Sequence, residues 1–203
     1  MNASADGTRL LTVGHDRLTL WEVASGARVW AGQDLGIGFH GWGALSADGG
    51  FALAVGEGQG LYRWTFEGRD ARRDVVTLDC DQLIGTCGLM GLAILDDGVA
   101  IGAASGEVRR ADPATGRTEL LHAVHESGVR ALQLSPDRRR LLSFSENGVA
   151  AVYDLAEGRL CTPAAMAGVA VPAAAFTPSG DLTWMDGDGA LRVIDAEALD
   201  AAG

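Results

Sequence analysis

Lysine is absent: all 16 basic residues of this 203-residue chain are arginine. A phosphate-cradling P-loop needs a lysine, and so does a Schiff-base enzyme, so both chemistries are excluded. Positive charge is scarce in any form. The 16 arginines face 27 acidic residues, for a formal charge of −11. Nucleic-acid backbones and anionic membranes both repel such a surface, so neither is expected as a partner. The three cysteines, Cys80, Cys87 and Cys161, form no CxxC pair and no disulfide framework, which suits a reducing compartment. No run of 18 apolar residues is present to cross a membrane as a helix. The start, Met1-Asn2-Ala3-Ser4-Ala5-Asp6, lacks a basic region followed by an apolar run, so no signal peptide is expected and the expected location is cytoplasmic.

Glycine is abundant, with 29 residues, and it falls in a repeated cassette of turn, strand, turn and strand. The copies open at Ser4-Ala5-Asp6-Gly7, Ser46-Ala47-Asp48-Gly49, Leu95-Asp96-Asp97-Gly98, Ser135-Pro136-Asp137-Arg138 and Thr177-Pro178-Ser179-Gly180. Their third positions, Asp6, Asp48, Asp97, Asp137 and Ser179, are separated by 42, 49, 40 and 42 residues. Each turn leads to a short apolar strand, as in Arg9-Leu10-Leu11-Thr12-Val13, and then to a second strand such as Leu18-Thr19-Leu20-Trp21-Glu22. Four further apolar segments, Trp42 to Leu45, Leu89 to Ile94, Val129 to Leu134 and Val171 to Phe176, precede the later cassettes as inner strands. A period of roughly 40–45 residues with four strands per unit is the signature of a β-propeller blade. The expected fold is all-β: one domain over residues 1–203, a propeller of about five four-stranded blades.

The ends predict an open ring. Only Met1-Asn2-Ala3 precedes Ser4, too little for a full inner strand, and only Glu197 to Gly203 follow the fifth cassette, enough for a short outer strand. Exposed strand edges invite pairing. The chain is therefore expected to be part of a longer propeller, an oligomer, or a subunit completed by a partner chain.

The fourth copy carries most motif residues. His125-Glu126-Ser127-Gly128 opens it, Ser135-Pro136-Asp137 and Leu141-Leu142-Ser143-Phe144-Ser145 continue it, and Val152-Tyr153-Asp154 closes it. This pattern resembles the WD-repeat family, whose repeats run from Gly-His through Ser-Pro-Asp-Gly to Trp-Asp. The resemblance implies structural repeat positions at His125, Ser143, Asn147 and Tyr153 in the fourth copy, at Trp21 and Trp64 in the first two, and at the turn residue Asp188 in the last. Asn147 and Tyr153 replace the family's Asp and Trp, so the hydrogen-bonded tetrad of each blade is expected to be partial.

The resemblance implies a non-catalytic scaffold or sensor module that binds proteins through loops on one face. No nucleophile–base–orienter set is readable, so no catalytic residue is assigned, and neither cofactor nor metal is expected. His122 lies three residues before His125, on the opposite face if both belong to one strand. Asp186-Gly187-Asp188-Gly189 lacks the later oxygen ligands of a calcium loop and reads as a hairpin turn. Arg138-Arg139-Arg140 and Arg72-Arg73 read as solvated positions. Trp42, in Phe39-His40-Gly41-Trp42, fills no repeat position and is expected to be an exposed anchor together with Phe39 and His40. The longest spacing holds Asp79, Asp81 and Gln82 in a loop suited to partner binding, and Glu146 sits in a turn of the fourth copy. Two alternatives are a five-bladed propeller that binds a small molecule or glycan, and a regulatory part of a larger multidomain protein. The first needs like residues at like turns, and His15-Asp16, Glu57-Gly58, Ser105-Gly106, Glu146-Asn147 and Gly187-Asp188 differ.

Overall fold

The computed structural model describes residues 2–14, 17–33, 42–55, 60–79 and 89–201. They form five antiparallel sheets in chain order, each cassette building one. The first blade holds β1 (Asn2–Ala3), β2 (Arg9–Gly14), β3 (Arg17–Glu22) and β4 (Arg28–Gln33). The second holds β5 (Trp42–Leu45), β6 (Phe51–Val55), β7 (Gly60–Glu67) and β8 (Asp70–Thr77). The third holds β9 (Leu89–Ile94), β10 (Val99–Ala103), β11 (Val108–Ala111) and β12 (Thr118–His122). The fourth holds β13 (Val129–Leu134), β14 (Arg140–Ser145), β15 (Ala150–Asp154) and β16 (Arg159–Leu160). The fifth holds β17 (Ala174–Phe176), β18 (Leu182–Met185) and β19 (Leu191–Ile194), followed by a helix, α1 (Ala196–Ala201).

In the first, second and fourth cassettes one side chain sets the turn. The serine hydroxyl donates to the aspartate two residues on and accepts the N–H of the next strand's first residue. Ser4 Oγ lies 2.6 Å from Asp6 Oδ1 and 2.9 Å from Arg9 N. Ser46 Oγ holds Asp48 at 2.6 Å and Phe51 N at 2.9 Å, and Ser135 does the same with Asp137 and Arg140 N. The Ser4 hydroxyl is the largest influence holding the Asp6 carboxyl down at about 2, with the Thr8 backbone and hydroxyl adding to it. Gly7 and Gly49 then take φ of 68° and 69°, and Arg138 adopts 61° in the same place. That conformation is unfavourable for a residue with a side chain. Here it aims the Arg138 guanidinium at the third blade, where it pairs with Asp96 and donates to Ile94 O at 2.8 Å.

Both faces of the inner blades are apolar, so the blades stack. Leu11 and Leu20 of the first blade meet Ala52, Ala54 and Trp64 of the second. Leu53, Val55 and Leu61 meet Val99, Ile101 and Ala111 of the third. Ala100 and Val108 meet Leu141 of the fourth, and Leu142, Phe144 and Val152 meet Phe176, Leu182 and Trp184 of the fifth. Among the described residues, no packing of comparable extent joins the fifth blade to the first.

Both end blades depart from the sequence expectation. Asn2 and Ala3 do form an inner strand, paired with Leu11 and Leu10, because two residues suffice for one rung each. The expected outer strand after the fifth cassette is instead α1. Its Ala-Glu-Ala-Leu-Asp-Ala run holds good helix formers and no β-branched residue. The Ala196 N–H donates to Asp181 Oδ1 at 3.1 Å, and Leu199 is fully buried against the fourth and fifth blades.

Ser135 is buried and serves both sides of its turn, so Ser135→Ala leaves Arg140 N–H and Asp137 short of a partner. We expect a loss of about 1–3 kcal/mol, a fall of roughly 2–4 °C in Tm per kcal/mol for a chain of this size. Thermal unfolding followed by circular dichroism measures it. Ser105→Ala, at an exposed turn position whose hydroxyl bonds nothing among the described residues, is the control and should stay within about 0.5 kcal/mol.

Candidate functional site

A buried polar constellation lies between the third and fourth blades. His125 Nε2 is 2.7 Å from Ser143 Oγ, and His122 Nε2 is 3.3 Å from the same oxygen. Ser143 Oγ also lies 3.3 Å from Ala151 O, on the neighbouring strand. The His122 ring centroid stands 5.6 Å from those of both His125 and Tyr153. The two histidines thus converge, where the sequence spacing places them on opposite faces. Period two applies only within a strand: β12 ends at His122, with a register shift against β11, and His125 lies beyond it.

This node is enclosed. Ser143 is 0% exposed and both histidines are buried. Nδ1 of each ring is buried and has no protein partner among the described residues, so no carboxylate orients either imidazole. Burial pushes His122 down to about 4, with the His125 ring adding to the effect, and burial lowers His125 as well. Both rings are therefore neutral near pH 7, and the node acts as a packed polar seam between two blades.

The remaining repeat positions behave differently. Asn147 does not reach His125; its Oδ1 accepts the Ser145 hydroxyl at 2.6 Å and its N–H donates to Ser127 Oγ at 3.2 Å. Tyr153 packs on His122 without a hydrogen bond to Ser143 among the described residues. In the first blade, Trp21 Nε1 donates to Thr12 Oγ1 at 2.9 Å, so Thr12 takes the serine's part, a role the sequence reading missed. Matching Thr12 to Ser143 by counting from each cassette turn would have found it. Trp64 is fully buried between the first and second blades. Asp188 is exposed and offers only its N–H to the turn; Asp186 is the turn's acceptor, taking Asp188 N, Ala190 N and the Arg192 guanidinium. With its oxygens so engaged, the hairpin has the form of a self-contained turn. Among the described residues, no group of three or more His, Cys, Asp or Glu is placed to hold a metal ion.

The expected partner-binding set is scattered. Phe39, His40, Asp81 and Gln82 lie outside the described residues. Trp42 is not an exposed anchor: it is half-buried against the core between the second and third blades, with Nε1 enclosed. As the first residue of β5, opposite Val55, it is directed by the pleat onto that core. Asp79 is exposed but serves as a strut, its Oδ1 accepting Thr118 N of the third blade at 2.8 Å. Glu146 is exposed, and its N–H donates to Gly128 O at 2.8 Å. That bond and the Asn147–Ser127 bond tie the turn at 146–148 to the loop at 126–128, bringing exposed Glu126 and Glu146 onto two joined loops.

The arginine runs do not form anion sites either. Arg138, Arg139 and Arg140 diverge to Asp96, Asp154 and Ala196 O, and Arg140 is buried rather than solvated. Arg72 pairs with Asp74 at 2.9 Å, and Arg73 lies over the Tyr62 ring. One cleft of about 260 Å³ opens between β13 and β17, where Pro172 precedes the shortened inner strand of the fifth blade. Arg130, stacked 4.7 Å over Phe144, and Gln133 line it.

Known structures place this architecture. The crystal structure of the Myceliophteria thermophila Cps50 (Swd1) β-propeller domain is similar with a TM-score of 0.66 and 14% identity, over 96% of this chain and 72% of that one. The computationally designed Ika8 protein is similar with a TM-score of 0.58 and 20% identity, over 92% of this chain and 57% of that one. The chain therefore spans little more than half the length of the second. No protein-family model and no curated protein sequence matches the chain. The likeness establishes the fold: the chain is an all-β protein of propeller blades.

The neutral histidines make stability depend on pH. As pH falls below 6.5 the unfolded chain takes up protons on both imidazoles, while folded His122 resists until about 4. Stability is thus fully present above pH 6.5 and falls between pH 6.5 and 4, by roughly 3 kcal/mol for His122. Urea unfolding at stepped pH should show this decline, and His122→Phe, which keeps a ring beside Tyr153, should shrink it. An unchanged pH profile in His122→Phe would contradict the assignment.

Proposed function

We propose that this chain is a non-catalytic protein-interaction module of the WD-repeat type, working in the cytoplasm, and that the joined loops of the fourth blade engage a basic segment of its partner. The observation that carries this reading is the pair of backbone-anchored loops at 126–128 and 146–148, which hold Glu126 and Glu146 exposed on a rigid blade. Binding residues presented by loops on a stiff scaffold lose little conformational freedom on association. The −11 balance favours a basic partner through steering as well. The seclusion of Ser143 and its histidines inside a blade contact supports the non-catalytic part, because no substrate reaches a fully buried hydroxyl.

A small-ligand reading is favoured by the cleft beside Arg130 and Gln133. It lies between the fourth and fifth blades, and its Arg130 and Gln133 have no like residues at the matching positions of the other inner strands, so it ranks second.

Affinity capture from host cells with the native chain, compared with Glu126→Arg/Glu146→Arg, tests the leading reading. A basic partner should co-purify with the native chain at high yield, and recovery should fall at least about tenfold with the double variant, equivalent to about 1.4 kcal/mol. An identical partner set in both samples would refute the role of these loops.

A further inference from the structure

We infer that the outward face of the fifth blade docks onto the outward face of the first blade of a second copy of this chain, extending the stack head to tail. The inference concerns a surface separate from the acidic loops of the fourth blade.

Among the described residues, each of the four apolar clusters joins the forward face of one blade to the backward face of the next. In the fourth blade the forward positions Leu142, Phe144 and Val152 are covered by the fifth blade, and Val152 is 0% exposed. Among the described residues the same positions in the fifth blade have no cover. Pairing places Met185 opposite Leu191 and Thr183 opposite Val193 on one face, while Leu182, Trp184 and Ile194 lie on the other, against the fourth blade. Met185, Leu191 and Val193 are 39%, 69% and 57% exposed. An apolar cluster of this kind at the end of a stack marks an interaction surface.

The first blade presents the complementary half. Its forward positions Leu11 and Leu20 are buried against the second blade, but its backward positions Leu10, Thr12 and Trp21 are half-exposed. The equivalent backward residues Leu141 and Leu182, in the fourth and fifth blades, are fully buried. Both uncovered faces therefore belong to one type of contact, made internally between each pair of successive blades.

Charge selects the second copy over a chemically neutral partner. The strand ladder puts Arg17 opposite Gly14 and Arg28 opposite Trp21, on the outward face of the first blade, and both are exposed. No carboxylate of β1 to β4 shares that face, since Glu22 pairs with Arg9 on the other. The sequence of the fifth blade and its helix carries Asp181, Asp186, Asp188, Asp195, Glu197 and Asp200 against Arg192 alone, and Arg192 lies on the inner face, paired with Asp186. An acidic end with an apolar centre thus meets an apolar end carrying two arginines. Such a contact is heterologous, so it closes a ring if the rotation allows and otherwise grows as a filament.

Mixing two surface variants tests the inference. Leu191→Asp/Val193→Asp spoils the forward face and keeps the backward one; Arg17→Glu/Arg28→Glu does the reverse. Light scattering should show the native chain associating as concentration rises and each variant alone remaining monomeric. The two together should form a one-to-one species of twice the monomer mass, since each supplies the intact half the other lacks. Circular dichroism checks that both fold, and Met185→Glu replaces the first variant if it does not. A native chain that stays monomeric up to millimolar concentration overturns the inference. So does association abolished by the Leu191/Val193 variant but unaffected by the Arg17/Arg28 variant, because that result marks a symmetric contact between fifth blades. A mixture that forms no dimer overturns it too.

Discussion

A sheet that is apolar on both faces cannot be covered by one neighbour, and that constraint organises this molecule. In β10 all five residues are buried, as they are in β15 and, with one more, in β14. Alternation of apolar and polar residues, the mark of a sheet with one wet face, is absent from these strands. Each such blade must sit between two others. Fully burying a Leu or Val side chain contributes about 1.5–3 kcal/mol, and each contact of the stack buries several. The cassette turns, though differing in detail, lead each blade into the same antiparallel strand order, so every blade presents the same two faces and the stack follows.

Polar groups fit around that constraint. The Ser–Asp turns satisfy the backbone where it reverses. Arginines stitch successive blades at their rims: Arg9 reaches Gly49 O of the second blade at 2.8 Å, and Arg138 reaches back to Ile94 O of the third. Exposed ion pairs are individually weak, but a guanidinium on a backbone carbonyl also fixes the angle at which one blade meets the next. The neutral His122–Ser143–His125 seam is the deepest of these links. Its cost is sensitivity to protonation, because a buried imidazolium would lack a counter-charge there.

The blades were legible because their signals are local. A turn with Ser, Asp and Gly, followed by an apolar run, needs no tertiary knowledge, and the predicted inner strands Trp42–Leu45, Leu89–Ile94 and Val129–Leu134 have the observed bounds. What failed depended on partners distant in sequence. Trp42 looked unclaimed by the repeat, yet the third blade's core claims it. Arg140 looked like part of a solvated run, yet it is buried and donates to Ala196 O at the start of α1. His122 looked misdirected because β12 ends at His122 and His125, three residues on, lies outside the strand to which period two applies. The tetrad could be located by its resemblance, but Asn147 has a shorter reach to Ser145 than to His125 and settles there.

If successive blades stabilise one another and the end faces are uncovered, local stability must vary along the stack. Native-state hydrogen exchange, followed strand by strand on dilute protein, reads that variation directly. The account predicts the slowest exchange in β10, β14 and β15, whose blades are covered on both sides, and markedly faster exchange in β19 and β1. Uniform protection of all five blades, with β19 as slow as β15, would contradict an open stack and require a neighbour on the outer face of the fifth blade.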